Sequence, residues 1–258
     1  MRIFAVPAAL LLASCVYMPL PRAKEGFLRL LSRGYDHIRR AFTRKDGQSD
    51  DVPALIVYLL LLGGVLALLG AMHPLASMVL MIPVFTGSCV LPASAEMKQT
   101  LDSGKYAKDI PTYEALVRQS CASLAPAFAE GIIAPMLLAA LGMPLYLGAS
   151  LSWIYTALTA LADRIPAAAQ IVSLTHRVSD RILTWFLLLC SGAVGRHPLH
   201  TSGRTLSERL LSILGIAGDA SDTHAPMAGD IAQGVFLCVF SSSILCFALC
   251  AVGFVLCR

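Results

Sequence analysis

Charge is what this chain has least of. Lys, Arg, Asp and Glu make up 14% of its 258 residues, against 57% hydrophobic, whereas a soluble domain carries about a quarter charged residues. A chain so poor in charge cannot cover itself with polar side chains in water, which excludes an ordinary soluble globular domain. The signatures of soluble enzymes are missing as well: there is no GxSxG nucleophile turn and no glycine-rich phosphate loop. The eight cysteines (Cys15, Cys89, Cys121, Cys190, Cys238, Cys246, Cys250 and Cys257) show no CxxC spacing and nearly all fall in apolar stretches, so they read as small buried hydrophobes. Cys246, Cys250 and Cys257 share one helical face, which suits close helix packing better than a metal. His197, His200 and His224 match no zinc spacing and read as a solvated loop, so no metal is expected.

What is there instead is a series of long stretches without any Lys, Arg, Asp or Glu. A hydrocarbon core about 30 Å thick needs roughly 20 apolar helical residues. Ile3 to Pro21 (19 residues), Val52 to Ala95 (44), Gly131 to Ala162 (32) and Ile231 to Cys257 (27) are such stretches. The 44-residue stretch holds two spans, near 53–72 and 75–91, with Pro74 as the break. The 131–162 stretch contains Pro135 and Pro144 and is long for one span but short for two, so it reads as broken or re-entrant. Residues 182–195 are too short for an ordinary span and are expected to pack against other helices, while 231–257 closes the chain as one span. The spans near 3–21, 53–72, 75–91, 131–162, 182–195 and 231–257 make a single integral membrane domain over 1–258.

Orientation follows from the basic residues. Eight of the 20 Lys and Arg lie between Arg22 and Lys45, so the loop 22–51 is expected on the cytoplasmic side of the cell (inner) membrane. That bias accounts for the net charge of +4 without a nucleic-acid partner. Within this loop Leu28, Leu31, Tyr35, Ile38 and Phe42 recur at helical spacing, while Arg29, Arg33, Asp36, Arg39 and Arg40 take other faces. Residues 27–42 thus predict an amphipathic helix lying on the lipid bilayer or against a membrane or cytoplasmic protein partner. At the N-terminus, Leu12-Ala13-Ser14-Cys15 resembles a lipoprotein cleavage box; the other reading is an uncleaved span that contains a cysteine.

The remaining segments are polar. Residues 96–118 predict a short helix and then a loop, Pro166 begins a helix that runs into Trp185, and a helix is expected near 206–216 before a flexible loop. Glu130 is the residue singled out for chemistry, because it opens the apolar run at Gly131. A carboxylate inside a bilayer costs roughly 2.5–3.5 kcal/mol on insertion scales, so it needs a partner or a wet cavity. The other reading of Glu130 is an interfacial residue that marks the start of a span.

The run Ala122-Ser123-Leu124-Ala125-Pro126-Ala127-Phe128-Ala129-Glu130-Gly131-Ile132-Ile133-Ala134-Pro135 resembles the Glu-Ser-Val-Ala-Glu-Asn-Thr-Val-Asp-Gly-Val-Ile-Ala-Pro signature of the CobD/CbiB family. Those proteins are the adenosylcobinamide-phosphate synthases of cobalamin biosynthesis, and AmpE-type membrane proteins are their relatives. Ala139-Ala140-Leu141-Gly142 and Arg177-Val178-Ser179-Asp180 continue the likeness, which covers about forty residues in motif and nearly the whole chain in layout. The resemblance implies an all-α, polytopic helical membrane protein with about five to six membrane-embedded segments and amphipathic interfacial helices. It also implies an amide ligase that joins aminopropanol phosphate to adenosylcobyric acid with a magnesium nucleotide and a corrinoid, and Glu130 as the one catalytic position kept.

The departures from the signature carry the functional expectation. Its two glutamates and its asparagine are Ala122, Pro126 and Ala127 here, and the polar segment that follows in the synthases is the apolar Ala149 to Leu158. An amide ligase must hold several charged substrates with carboxylates and cations. The chain therefore reads as a non-catalytic accessory or regulatory member, with the ligase as the alternative. A small transporter is a third reading, which the lack of paired inverted repeats disfavours.

Overall fold

The computed structural model describes residue 9 and residues 21–42, 51–86, 90–103, 109–142, 147–193, 205–217 and 224–256. Among them every regular element is helical, in the order α1 (Pro21–Ala41), α2 (Asp51–Met72), α3 (Pro74–Thr86), α4 (Val90–Asp102), α5 (Ile110–Phe128), a π-helical turn (Ala129–Ile133), α6 (Ala134–Gly142), α7 (Gly148–Leu161), α8 (Pro166–Ala193), α9 (Leu206–Leu214) and α10 (Ala228–Leu256). The all-α class is as the sequence implies. Among the described residues three helices are long and apolar enough to cross a membrane: Asp51–Met72, Ile110–Gly142 and Ala228–Val252.

Among the described residues three is fewer than the five to six segments expected; the expected span at 3–21 is not among them, and for the others helix length gives the reason. At 1.5 Å per residue the 14 residues of α7 reach about 21 Å and the 13 of α3 about 20 Å, short of a 30 Å core. Residues 182–195 are not a separate short span either: 182–193 form the C-terminal part of the 28-residue α8, whose middle carries His176, Arg177, Asp180 and Arg181. The expected loop before Arg118 is also helical, since α5 already begins at Ile110. The expected span at 3–21, the Cys15 box, Cys89, Cys257, His197 and His200 lie outside the described residues.

The described chain divides into two compact units. In the first (1–88, 134–177 and 246–258), α2 and α3 turn back on each other at His73-Pro74, where the Ser77 hydroxyl donates to the Gly70 carbonyl at 3.1 Å. α6 and α7 form an antiparallel hairpin, tied by Ser152 Oγ donating to the Pro135 carbonyl at 2.8 Å. α7 is the central helix of this unit. It packs on α2 closely enough that a Cβ placed on Gly63 would stand 2.9 Å from Ile154 Cδ1. Toward α3, its Trp153 indole donates to the Leu80 carbonyl at 2.7 Å.

The amphipathic helix predicted at 27–42 is α1, and its stripe is covered by the protein itself. Leu31 and Tyr35 are buried in a cluster with Ala54, Leu55 and Tyr58 of α2 and Leu158 and Leu161 of α7, and Ile38 and Phe42 pack against it. The Tyr58 hydroxyl donates to the Leu31 carbonyl at 3.0 Å, and the Tyr35 and Tyr58 rings meet edge to face at 5.9 Å. Arg39 pairs with Asp51 at 2.6 Å and Arg164 with Asp36 at 3.4 Å. Burial, with the Asp51 carboxylate beside it, pushes the Tyr35 phenol above its ordinary value.

In the second unit (89–133 and 178–245), α5 packs on α9 and α4. A Cβ on Gly234 of α10 would lie 3.1 Å from Leu124 and 3.5 Å from Leu214, so α10 approaches α5 and α9 through a small residue. α9 starts in a capping box, with Thr205 and Glu208 bonding each other's backbone N–H, and stops at Gly215, which takes a left-handed φ of 76°. Arg118 Nε donates to the Ile216 carbonyl just beyond that stop, at 3.2 Å.

Candidate functional site

Glu130 lies in the π-helical turn Ala129–Ile133, twenty residues into the continuous helix Ile110–Gly142. It therefore lies inside a helix and not at the start of one. The sequence conceals this because Thr112, Glu114, Arg118 and Gln119 make the first turns of α5 polar, so a search for uncharged runs begins the helix too late. Pro126 sits within the same helix, where it lacks the N–H that would bond the Ala122 carbonyl. The wider π turn follows three residues later; such turns recur at functional positions in other proteins. The Glu130 side chain is exposed, while Ala129, Ile132 and Ile133 on either side are buried.

Helical spacing aligns the positions that carry the signature. Ala122, Pro126 and Glu130 follow one another at intervals of four, so the three acidic positions of the resemblance fall on one face of this helix. Here that face offers a methyl group, a pyrrolidine ring and one carboxylate. A magnesium ion prefers six oxygen ligands and takes several from protein carboxylates and phosphates. The residues present do not fit a magnesium nucleotide. Among the described residues no group of three His, Cys, Asp or Glu side chains is placed to hold a metal ion.

A second polar constellation, which sequence reasoning missed, stands at the head of α10. Asp230 is buried, at 3% exposure, and accepts from the Met227 N–H at 2.8 Å and pairs with His224 Nε2 at 2.9 Å. Beside it the Ala228 N–H donates to the Tyr113 hydroxyl of α5 at 2.9 Å. Asp230 is the third residue of α10, where a carboxylate reaching back to the N-terminal N–H groups stabilises the helix start. The signal was present as an Asp three residues beyond Met227 ahead of an apolar run. In the sequence it reads only as the charge that bounds that run. His224 thus pairs with a carboxylate, while His197 and His200 lie outside the described residues.

In the first unit Tyr155 of α7 and His176 of α8 pair through the phenol oxygen and Nε2 at 2.7 Å, with the rings 6.1 Å apart. Their 21-residue separation follows no motif. Cys121, Cys190, Cys238 and Cys246 are buried, as the reading of them as small hydrophobes requires.

Comparisons with protein-family models, curated proteins and solved structures find no match. Any functional reading of this chain therefore stands on its own residues.

Proposed function

We propose that this chain is a multi-pass protein of the cell (inner) membrane, built on the CobD/CbiB and AmpE scaffold and serving as a non-catalytic accessory or regulatory protein, with residues 22–51 on the cytoplasmic side. The observation that carries the reading is the face of Ala122, Pro126 and Glu130. One carboxylate cannot balance a metal nucleotide and two further charged substrates in a site of low dielectric, where unpaired charge is costly. The scaffold positions of the resemblance have structural work here: Gly142 lets the α6–α7 link pass against its backbone, and a Cβ there would stand 2.7 Å from the Leu147 carbonyl carbon. The pattern is therefore one of a retained backbone framework and altered polar chemistry. Three apolar helices of spanning length support the membrane placement.

The test is complementation. The protein is expressed in a cell that lacks its cobinamide-phosphate synthase and supplied with cobyric acid, and its presence in the membrane is verified. No return of cobalamin synthesis is expected. Rescue that disappears with Glu130→Gln would overturn the accessory reading and establish the ligase.

A further inference from the structure

We propose that the outer face of α1 is a docking surface for the anionic headgroups of the bilayer, with Arg33 and Arg40 as its principal contacts. The proposal rests on the membrane reading above. It concerns the face of α1 opposite the apolar stripe, because the protein covers the stripe itself.

At 100° per residue Arg29, Arg33, His37 and Arg40 fall within roughly 80° of one another, centred about 180° from Leu31, Tyr35, Ile38 and Phe42. All four are exposed. Asp36 and Asp51, beside α1, are engaged by arginines off this stripe, Asp36 by Arg164 and Asp51 by Arg39. Arg33 and Arg40 therefore present positive charge that no carboxylate among the described residues pairs with.

Its depth matches headgroups. α1 meets α2 from Asp51 to Tyr58, the first seven residues' rise of a helix long enough to span, or about 10 Å. The headgroup layer of one leaflet is about 5–8 Å thick, so α1 lies beside that layer and the first turn of the hydrocarbon. One flank of the stripe bears Leu30, Gly34 and Ala41, all exposed and uncharged, with Leu30 65% exposed. The other flank carries Asp36 and Arg39. A helix with one flank apolar and the other charged, held at this depth, turns the first toward acyl chains and the second toward water, and its arginines meet lipid phosphate between them.

The experiment is native mass spectrometry of the full-length protein in detergent micelles, titrated with phosphatidylglycerol or with phosphatidylcholine of the same acyl chains. The wild-type chain should bind phosphatidylglycerol more tightly. An arginine at an anionic surface contributes about fivefold in affinity, so R33Q/R40Q should weaken phosphatidylglycerol binding by up to about 25-fold and leave phosphatidylcholine unchanged. R33K/R40K, which keeps both charges, should retain the preference. Equal binding of the two lipids by the wild-type chain, as an acidic protein partner for this face would give, overturns the proposal. So does undiminished phosphatidylglycerol binding by R33Q/R40Q, or a loss in R33K/R40K as large as in R33Q/R40Q. Carbonate extraction of the wild-type chain from its native membrane tests the membrane reading separately: release into the soluble fraction overturns that reading, whereas retention without lipid preference overturns only this one.

Discussion

Three glycines in the first unit make a graded test of how closely its helices approach. A Cβ on Gly142 would stand 2.7 Å from the Leu147 carbonyl carbon and 2.8 Å from the Gly148 nitrogen, both backbone atoms that cannot turn away. On Gly63 the nearest atom, at 2.9 Å, is Ile154 Cδ1, the end of a side chain with rotamers to spare. On Gly64 nothing lies within 4 Å. Overpacking that forces backbone shifts costs about 1–3 kcal/mol, while replacing an interior helical glycine by alanine returns up to about 1 kcal/mol. Gly142→Ala, at the last residue of its helix, gains little of that return and should destabilise by about 1–3 kcal/mol. Gly63→Ala should fall near zero, and Gly64→Ala should be neutral or stabilising by up to about 1 kcal/mol. The assay is reversible unfolding of the purified protein in mixed micelles of increasing denaturing detergent, followed by circular dichroism. If Gly142→Ala proves as stable as Gly64→Ala, the close approach of the α6–α7 link to Gly142 is wrong.

Other variants probe the remaining contacts. Tyr58→Phe removes the hydroxyl donated to the Leu31 carbonyl and should cost about 1 kcal/mol, read as faster protease cleavage within α1; unchanged cleavage would mean the bond does not hold the helix. Asp230→Ala strips the Met227 N–H and His224 of a buried acceptor and should cost about 1–3 kcal/mol in the same unfolding assay, with a smaller loss for the more exposed His224→Gln. Asp109 caps α5 by accepting from the Thr112 hydroxyl and N–H, which holds its carboxyl below the ordinary value. Its folded pKa is lowered, so its contribution is present above the ordinary carboxylate range and lost as pH falls through the folded value. Protection of the Thr112 and Tyr113 amides should decline over that acidic interval in the wild-type chain and stay flat in Asp109→Ala; a decline of equal size in the variant would show that another group is responsible.

The parts of this fold legible in the sequence are those set by local chemistry. Pro74 breaks α2 from α3, Pro166 opens α8, and the apolar spacing of Leu31, Tyr35 and Ile38 marks α1, while the helix expected near 206–216 stops slightly earlier, at Gly215. A proline lacking an N–H and a glycine free to take positive φ act within one turn of chain, so their effect does not depend on the rest of the molecule. What the spacing could not reveal is what covers the stripe, because lipid and the side chains of α2 and α7 are equally apolar. The start of the helix that carries Glu130 is hidden for a related reason: polar residues on the exposed side of a helix look, in one dimension, like a loop. The Asp230–His224 and Tyr155–His176 pairs depend on how the chain folds back, and only the three-dimensional arrangement brings them together.

The covering of α1 also has a timetable. Its cluster needs Leu158 and Leu161 of α7, which leave the ribosome 120 residues after the end of α1 at Ala41. At about 5–20 residues per second of synthesis the apolar stripe waits roughly 6–24 s before its last partner exists. Helix formation is complete in about a microsecond, so for nearly all of that time α1 stands folded with its stripe covered at most in part, by Ala54, Leu55 and Tyr58 of α2. The interval is long enough for aggregation or proteolysis to compete with assembly. Whatever shields the stripe meanwhile, lipid or a chaperone, acts on an intermediate that the finished structure no longer displays.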